Sequence, residues 1–471
     1  MKKTKIVATL GPASEKPEML RKLIEAGVNI FRVNCSHASG AEIGRHVRSV
    51  RAASKRLGKP IAVMLDLQGP KIRVGEFIGG RLELKTGQTI ALKVTREKSD
   101  GAFIPVQYAG FYKDIKNTGR ILLDDGKMEL SILSKKNGTV LTRVVNGGVL
   151  QDKKGINLPD GSISAAPITT KDLRDLKTGI EAGVDYVALS FVREGEDIRK
   201  LKRLIAQSSR HIEVVAKIER HEAIENLDGI LEATDAVMVA RGDLGMEIPL
   251  SKVPVIQSEI IRRCVELAKP VIVATQMMES MVSNPRPSRA EVSDVSSAVQ
   301  SYADALMLSV ETSKGGYPVE CVRAMAMAAV EMENHQSARR GGRLWEMGKD
   351  PSYAVEQAVA RAGVGLAELL DARGIIVVTQ HGYMPKRIAA LHPLSPVFAF
   401  TSHIETMRKL ALVRGVSPFH MNPKDADTKN LSVIFGELKK RGHLKTGDRV
   451  VVVVSTGGAS GTNKVRVETV K

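Results

Sequence analysis

Two charged residues close an otherwise apolar segment, "EVVAKIER" at residues 213–220: Lys217 and Glu219. Side chains alternate faces along a strand, so this ammonium and carboxylate, two positions apart, point the same way. Such a pair serves either as an ion pair inside a core or as part of an anion site whose carboxylate holds a metal. Other apolar segments end in similar polar groups. "NIFRVN" leads to Arg32, Asn34 and Ser36 on one face, with His37 next, and "IAVMLDL" gives Asp66, with Arg73 following. "AVMVARGD" ends in Arg241, Gly242 and Asp243, "VIVATQ" in Thr275 and Gln276, and "LMLSVET" in Glu311 and Thr312. Arginine grips phosphate and carboxylate in bidentate fashion, so the cations suit a substrate carrying both. Glu219 and Asp243 are hard oxygen donors of the kind magnesium takes while keeping several waters. Gly242 lets a substrate approach a backbone amide closely. Each residue alone also has a structural explanation: Lys217 with Glu219 as a satisfied ion pair, Thr275 as a strand-end cap, and Cys35, facing away from Arg32, as core. Gathered at one rim, so many charges would be costly to bury without a ligand.

The elements that must position these residues repeat. Eight short apolar segments, from "KIVATLG" to "LMLSVET", are each followed by a helical pattern. "PEMLRKLIEAG" places Met19, Leu20, Leu23 and Ile24 on one face with Gly27 as a stop, and "VIQSEIIRRCVELAKP" closes at Pro270. Near-continuous apolar strands suit a parallel sheet buried on both faces. Eight such units closing on themselves make a (β/α)8 TIM barrel, whose active site lies at the carboxyl ends of the strands. After "LDLQGP" the helical pattern is interrupted until "TTKDLRDLKTGIEAGV", and β-type runs with hairpin turns at Asp125-Gly126 and Asn137-Gly138 fill the gap. The expected organisation is therefore a barrel over 1–69 and 169–340, with a small β-barrel-like lid domain inserted at 70–168. A polar Gly/Arg-rich stretch, "HQSARRGGRLWEMGKD", precedes a C-terminal α/β domain over 352–471.

At 471 residues the chain has room for roughly three domains. No apolar run approaches the ~20 residues a membrane helix needs, and "MKKTKIVATLGP" reads as a first strand rather than a signal peptide. Cys35, Cys264 and Cys321 are odd in number and unpatterned, against a disulfide framework or a zinc site and in keeping with a cytoplasmic protein. The formal charge of +18 could serve nucleic acid, but the cations are spread along the chain, aromatic residues make up 4%, and no reader motif occurs. A field that draws small anionic substrates explains the charge equally well. "HEAIE" at His221 lacks the second histidine of a zinc protease, no Walker-type loop occurs, and "STGGASGTN" reads as a Gly-rich connection between two strands.

Ten stretches in order resemble the pyruvate kinase family: "KIVATLGPAS", "FRVNCSH", "GPKIR", "KGINLP", "VALSFVR", "AKIER", "MVARGDLG", "ATQMMESM", "NPRPSRAEVSDV" and "ETSKGGYP". The resemblance is close over the barrel and insertion and looser beyond. It implies transfer of the phosphoryl group of phosphoenolpyruvate to ADP, giving pyruvate and ATP. It also implies a homotetramer and a divalent ion, Mg2+ or Mn2+, on Glu219 and Asp243. By the same resemblance Lys217 stabilises charge on the moving phosphoryl group and the enolate. Arg32 and Arg73 grip phosphate oxygens, Gly242 and Asp243 receive the substrate carboxylate, and Thr275 lies near the carbon to be protonated. Asn34, Cys35, Ser36, His37, Arg73 and Lys154 face the nucleotide. Many family members hold potassium with the counterparts of Asn34, Ser36 and Asp66 and carry "TKGPEIR", where this chain has "LQGPKIR". Lys71 then supplies the positive charge of a potassium ion, and activity without K+ is expected; the alternative is a merely solvated Lys71. Val310 is bulkier than the family's glycine or alanine. The family's hydroxyl-rich effector loop is replaced by "TQHGYMPKR", where His381, Tyr383 and Met384 offer few donors for fructose-1,6-bisphosphate. Two other readings fit part of the pattern: a magnesium-dependent barrel acting on carbon–carbon bonds of pyruvate, and a non-catalytic relative that keeps the fold. No nucleic-acid or membrane partner is expected.

Overall fold

Eight apolar segments close into a parallel barrel in the computed structural model, which describes residues 2–159, 161, 164–339, 354–422, 431–455 and 462–471. The strands are β1 (Lys5–Thr9), β2 (Ile30–Asn34), β3 (Ala62–Asp66), β4 (Tyr186–Leu189), β5 (Glu213–Ile218), β6 (Ala236–Ala240), β7 (Val271–Ala274) and β8 (Ala305–Leu308), each pairing in parallel with its neighbours. Alternate residues fill the interior: Val7, Ile30, Met64, Tyr186, Val215, Met238, Ile272 and Met307 are buried there. The opposite faces pack on the surrounding helices, as Leu20, Leu23 and Ile24 of the helix Pro17–Ala26 illustrate. Gly27 ends that helix at φ 122°, a backbone state that costs a glycine little.

Between β3 and β4 lie a six-stranded and a two-stranded sheet with a core of their own that includes Val74, Leu92, Ile104, Ile121 and Leu130. Asn137-Gly138 forms the expected two-residue turn, with φ of 50° and 73° between the paired Lys136 and Thr139. Asp125-Gly126 lies in the connection of the other expected hairpin. Leu123 pairs with Met128, leaving a four-residue loop from Asp124 to Lys127. Lys127 and Lys154 both pair with Asp124 at the start of that loop. Its Gly126, at φ 79°, sits on the barrel rim: a Cβ there would lie 2.6 Å from Met246 Sδ.

The C-terminal domain is a five-stranded sheet in the order β11-β10-β9-β12-β13, from β9 (Gly374–Val378), β10 (Val397–Thr401), β11 (Val416–His420), β12 (Arg449–Ser455) and β13 (Thr462–Thr469), the last antiparallel. Residues 456–461 of the Gly-rich connection, and 340–353 of the expected boundary, lie outside the described residues. This domain closes the amino-terminal end of the barrel. Ala411 and Leu412 are buried in the barrel's interior core, and Tyr186 Oη donates to Lys409 O at 2.6 Å.

Candidate active site

Four barrel strands converge on Asp66 and Lys217 at the carboxyl-terminal rim. β3 ends in Asp66, 1% exposed, whose Oδ2 accepts from Arg32 Nε of β2 at 2.6 Å and whose Oδ1 lies 3.3 Å from Lys217 Nζ of β5. Lys217 Nζ also lies 2.7 Å from Glu219 Oε1 and donates to Ser190 Oγ at 2.8 Å. Arg32 Nη1 donates to Thr9 Oγ1 at 3.1 Å, and its Nη2 has no partner among the described residues. Glu219 follows β5 directly, its Oε2 held at 2.8 Å by the Phe191 amide. Alternation in "AKIE" thus aims both charges inward, as the sequence implies. Thr9, Ser190 and the Phe191 amide were not among the residues read from the sequence. Ser190, just beyond β4 in "VALSFV", shares the face of Ala188, and that alternation is the clue that could have found it.

Charge explains the stability of this cluster. Burial alone would lower the Lys217 ammonium, but Asp66 and Glu219 outweigh it and hold it above the ordinary lysine range. Burial likewise opposes ionisation of Asp66, yet Lys217 and Arg32 keep its carboxyl below the usual range. Glu219 differs: burial, reinforced by the charge of Asp243, pushes it up despite Lys217. A carboxylate strained in this way, beside a second carboxylate, is a donor set that fits a divalent cation, because a bound ion relieves both burial and repulsion.

Two of the expected strand ends are helix starts. β6 stops at Ala240, where the ladder to Ala274 ends, and Arg241, Gly242 and Asp243 open the helix Arg241–Glu247. Likewise Glu311 and Thr312 lie in the short helix Val310–Ser313 after β8. The Gly242 amide donates to Thr275 Oγ1 at 2.8 Å, and that hydroxyl donates to Ala274 O at 2.6 Å. Thr275 and Gln276 both adopt positive φ, 71° and 55°, which turns the chain sharply after β7. Arg241 holds that turn through Thr275 O at 2.7 Å and pairs with Asp294 at 2.7 Å, so it supports the site rather than facing it. Glu311 is likewise committed to backbone, accepting from the Ser309 and Met278 amides. Val310 is 49% exposed, so its extra bulk crowds nothing in the chain.

The residues expected around the monovalent cation lie together, Asn34 pairing with Asp66 across β2 and β3 and Ser36 following, while Arg73 and Lys154 of the expected nucleotide set belong to the inserted domain. Asn34 Oδ1 accepts from the Ser36 amide at 3.1 Å. Cys35 is fully buried and packs in the core around the barrel, its amide donating to Asp66 O and its carbonyl accepting from Lys171 Nζ. Burial and the cations Lys314, Arg73, Arg32 and Lys71 hold His37 below its ordinary range. Arg73 reaches Lys153 O at 2.9 Å and Lys154 pairs with Asp124 at 2.9 Å, both within the inserted domain. Lys71 Nζ lies 3.8 Å from Asp125 Oδ1 of the loop above it.

Two family models match the chain: the pyruvate kinase barrel domain over residues 1–322 and the pyruvate kinase alpha/beta domain over 357–468. The chain belongs to the pyruvate kinase family. It is 40% identical to a pyruvate kinase of Geobacillus stearothermophilus, across 100% of this chain and 80% of that one. Similarity to a pyruvate kinase of Methylorubrum extorquens is 39%, covering 99% of this chain and 97% of the relative. A protein named pyruvate kinase 2 from Synechocystis is 39% identical, over 100% and 80%. The chain is thus a phosphotransferase of the pyruvate kinase family, built on a TIM barrel with an additional sheet domain and a C-terminal α/β domain. No described helix is long and apolar enough to cross a membrane.

Proposed function

We propose that this chain transfers the phosphoryl group of phosphoenolpyruvate to ADP, giving pyruvate and ATP in the cytoplasm as the last step of glycolysis. The observation that carries the reading is the buried cluster of Arg32, Asp66, Lys217 and Glu219, which gathers two cationic and two acidic side chains at the rim. A magnesium or manganese ion on Glu219 and Asp243 would supply Lewis-acid charge at the enolate oxygen when bound. In the transfer, the bond from phosphorus to the enol oxygen breaks and one to a terminal ADP oxygen forms. The protein's part is positioning and charge stabilisation. Lys217 faces the moving phosphoryl group, and Arg32 offers its uncommitted Nη2, with Arg73, to phosphate oxygens. The substrate carboxylate would take the Gly242 amide from Thr275, releasing that hydroxyl toward the carbon that accepts a proton. Asn34, Ser36, His37, Arg73 and Lys154 would face the nucleotide. The inserted domain, residues 70–168, would act as a lid that excludes water.

Lys71 takes the place of potassium in this reading, contributing a tethered positive charge near His37. The active form would be a homotetramer, which sedimentation velocity would show. A coupled assay with phosphoenolpyruvate, ADP and Mg2+ tests the whole proposal. Pyruvate and ATP should form together, each dependent on the other substrate; failure to form ATP from phosphoenolpyruvate would overturn it.

A further inference from the structure

Ser190 and Phe191, where the chain leaves β4, hold both charged groups at the end of β5. Tyr186 and Ala188 point into the barrel interior, and Ser190 continues that face one step past the strand. Its side chain is buried, and its hydroxyl donates to Leu67 O at 2.7 Å, with Asp66 Oδ1 3.5 Å away. A serine has one proton to give, so its lone pairs are left to accept from Lys217 Nζ at 2.8 Å. One residue on, the Phe191 amide donates to Glu219 Oε2 at 2.8 Å.

This double grip requires an unusual turn. Phe191 has φ 55°, in the left-handed region where a bulky residue is an outlier. Gly69, in the connection after β3 and itself at φ 68°, packs against it. A Cβ on Gly69 would lie 2.8 Å from the Phe191 ring and 3.1 Å from Ser190 Cβ, so the close approach needs a glycine. Asp172 Oδ1 holds the Gly69 amide at 3.2 Å from the other side. Backbone strain of this kind persists only where the surroundings over-determine it, and it gathers at working sites.

An ammonium has three protons to give, and Lys217 has three oxygen neighbours: Glu219 at 2.7 Å, Ser190 at 2.8 Å and Asp66 at 3.3 Å. Two of them are carboxylates, which fix the cation but cancel part of its charge. Ser190 is the neutral one: it fixes the ammonium and leaves the charge for what arrives at the rim. We propose that Ser190 is a positioning residue for the phosphoryl transfer, aiming the Lys217 ammonium through its hydroxyl while the adjoining Phe191 amide sets Glu219 beside it. The inference rests on Lys217 stabilising the moving phosphoryl group. Such stabilisation needs the group in place before charge develops, so the serine acts on the transition state more than on substrate binding.

Steady-state kinetics of Ser190→Ala, Ser190→Thr and Gly69→Ala with phosphoenolpyruvate and ADP, each with a thermal melt for folding, test it. Ser190→Ala should lower kcat roughly 10- to 100-fold, as loss of a hydrogen bond to a charged group implies, with KM for phosphoenolpyruvate within about threefold of wild type. Ser190→Thr keeps the hydroxyl and changes only packing, so kcat should return to within about fivefold of wild type. Gly69→Ala pushes on the turn and leaves every hydrogen-bonding group in place; it should lower kcat at least about fivefold, again with KM unmoved. A folded Ser190→Ala with near-normal kcat, a loss carried by KM instead, a threonine no better than alanine, or wild-type kcat in Gly69→Ala would each overturn the proposal. An unmodified chain that makes no ATP, or a Lys217→Met chain with normal turnover, defeats the reading of the rim and this inference with it. An active, lysine-dependent chain indifferent to Ser190 defeats this inference alone.

Discussion

Replacing Asp66 with asparagine probes the reasoning about the rim most finely, because the side chain keeps its shape and loses only its charge. In the structure Asp66 is the counter-ion of both Arg32, at 2.6 Å, and Lys217, at 3.3 Å. A charge-assisted hydrogen bond contributes about 1.5–3 kcal/mol and a neutral one about 0.5–1.5, so each contact loses roughly 1–1.5 kcal/mol. Over two contacts that is about 2–3 kcal/mol, and if it is all expressed in the transition state, kcat/KM falls roughly 30- to 150-fold. Lys217 keeps Glu219 at 2.7 Å and Ser190 at 2.8 Å, so the loss stops short of abolishing the site. The variant also carries a sign. Asp66 and Glu219 hold the Lys217 ammonium above its ordinary range, so removing one of them lowers it. If the protonated lysine is the active form, the alkaline limb of kcat/KM must move to lower pH. Pyruvate formation coupled to NADH oxidation, measured across pH with a thermal melt as folding control, reads both effects. A folded variant within about threefold of wild type and with an unmoved alkaline limb would refute the electrostatic account, since about 0.7 kcal/mol is less than either contact should lose.

Three further outcomes follow from other parts of the molecule. Gly126→Ala puts a Cβ 2.6 Å from Met246 Sδ on a backbone at φ 79°; a strain of about 1–2 kcal/mol should lower kcat/KM roughly 5- to 30-fold, with partial recovery in Gly126→Ala/Met246→Ala. Wild-type kinetics in the single variant would detach that loop from turnover. Activity should persist in potassium-free, sodium-free organic buffer, and Lys71→Glu should create a potassium requirement; a strict requirement in the unmodified chain would defeat the role given to Lys71. Burial pushes the Asp304 carboxyl up to about 6 against amide bonds from Arg414 and Val271 and the charges of Arg414 and Lys5. A raised carboxyl favours the folded state at low pH, so the stability of wild type relative to Asp304→Asn should fall by about 3 kcal/mol between about pH 4 and 6, and a pH-independent difference in calorimetry would contradict this.

The architecture was legible because parallel barrel strands are apolar on both faces, and "AVMVA" and "EVVAKI" could not be buried in any other way so simply. Alternation aimed Lys217, Glu219 and Arg32 at one face before any contact was known. What periodicity does not encode is which charges meet across strands. Asp66 was read as part of a cation site, whereas its nearest partners are Arg32 from one side and Lys217 from beyond the intervening β4. Ser190 and Thr9 escaped for the same reason: single hydroxyls at strand ends gain meaning only from what lies opposite. The helical first turns holding Asp243 and Glu311 were read as strand ends, because glycine and threonine after an apolar run resemble a loop.

Turnover of Lys217→Met tests the account most directly. The methionine nearly matches the lysine in length but removes the ammonium that Asp66, Glu219 and Ser190 hold at the rim. Steady-state kinetics with phosphoenolpyruvate and ADP should show kcat reduced at least ~10²-fold, the loss expected on removing a group that stabilises developing charge. Near-normal turnover in the folded variant would contradict the claim that this lysine carries the chemistry.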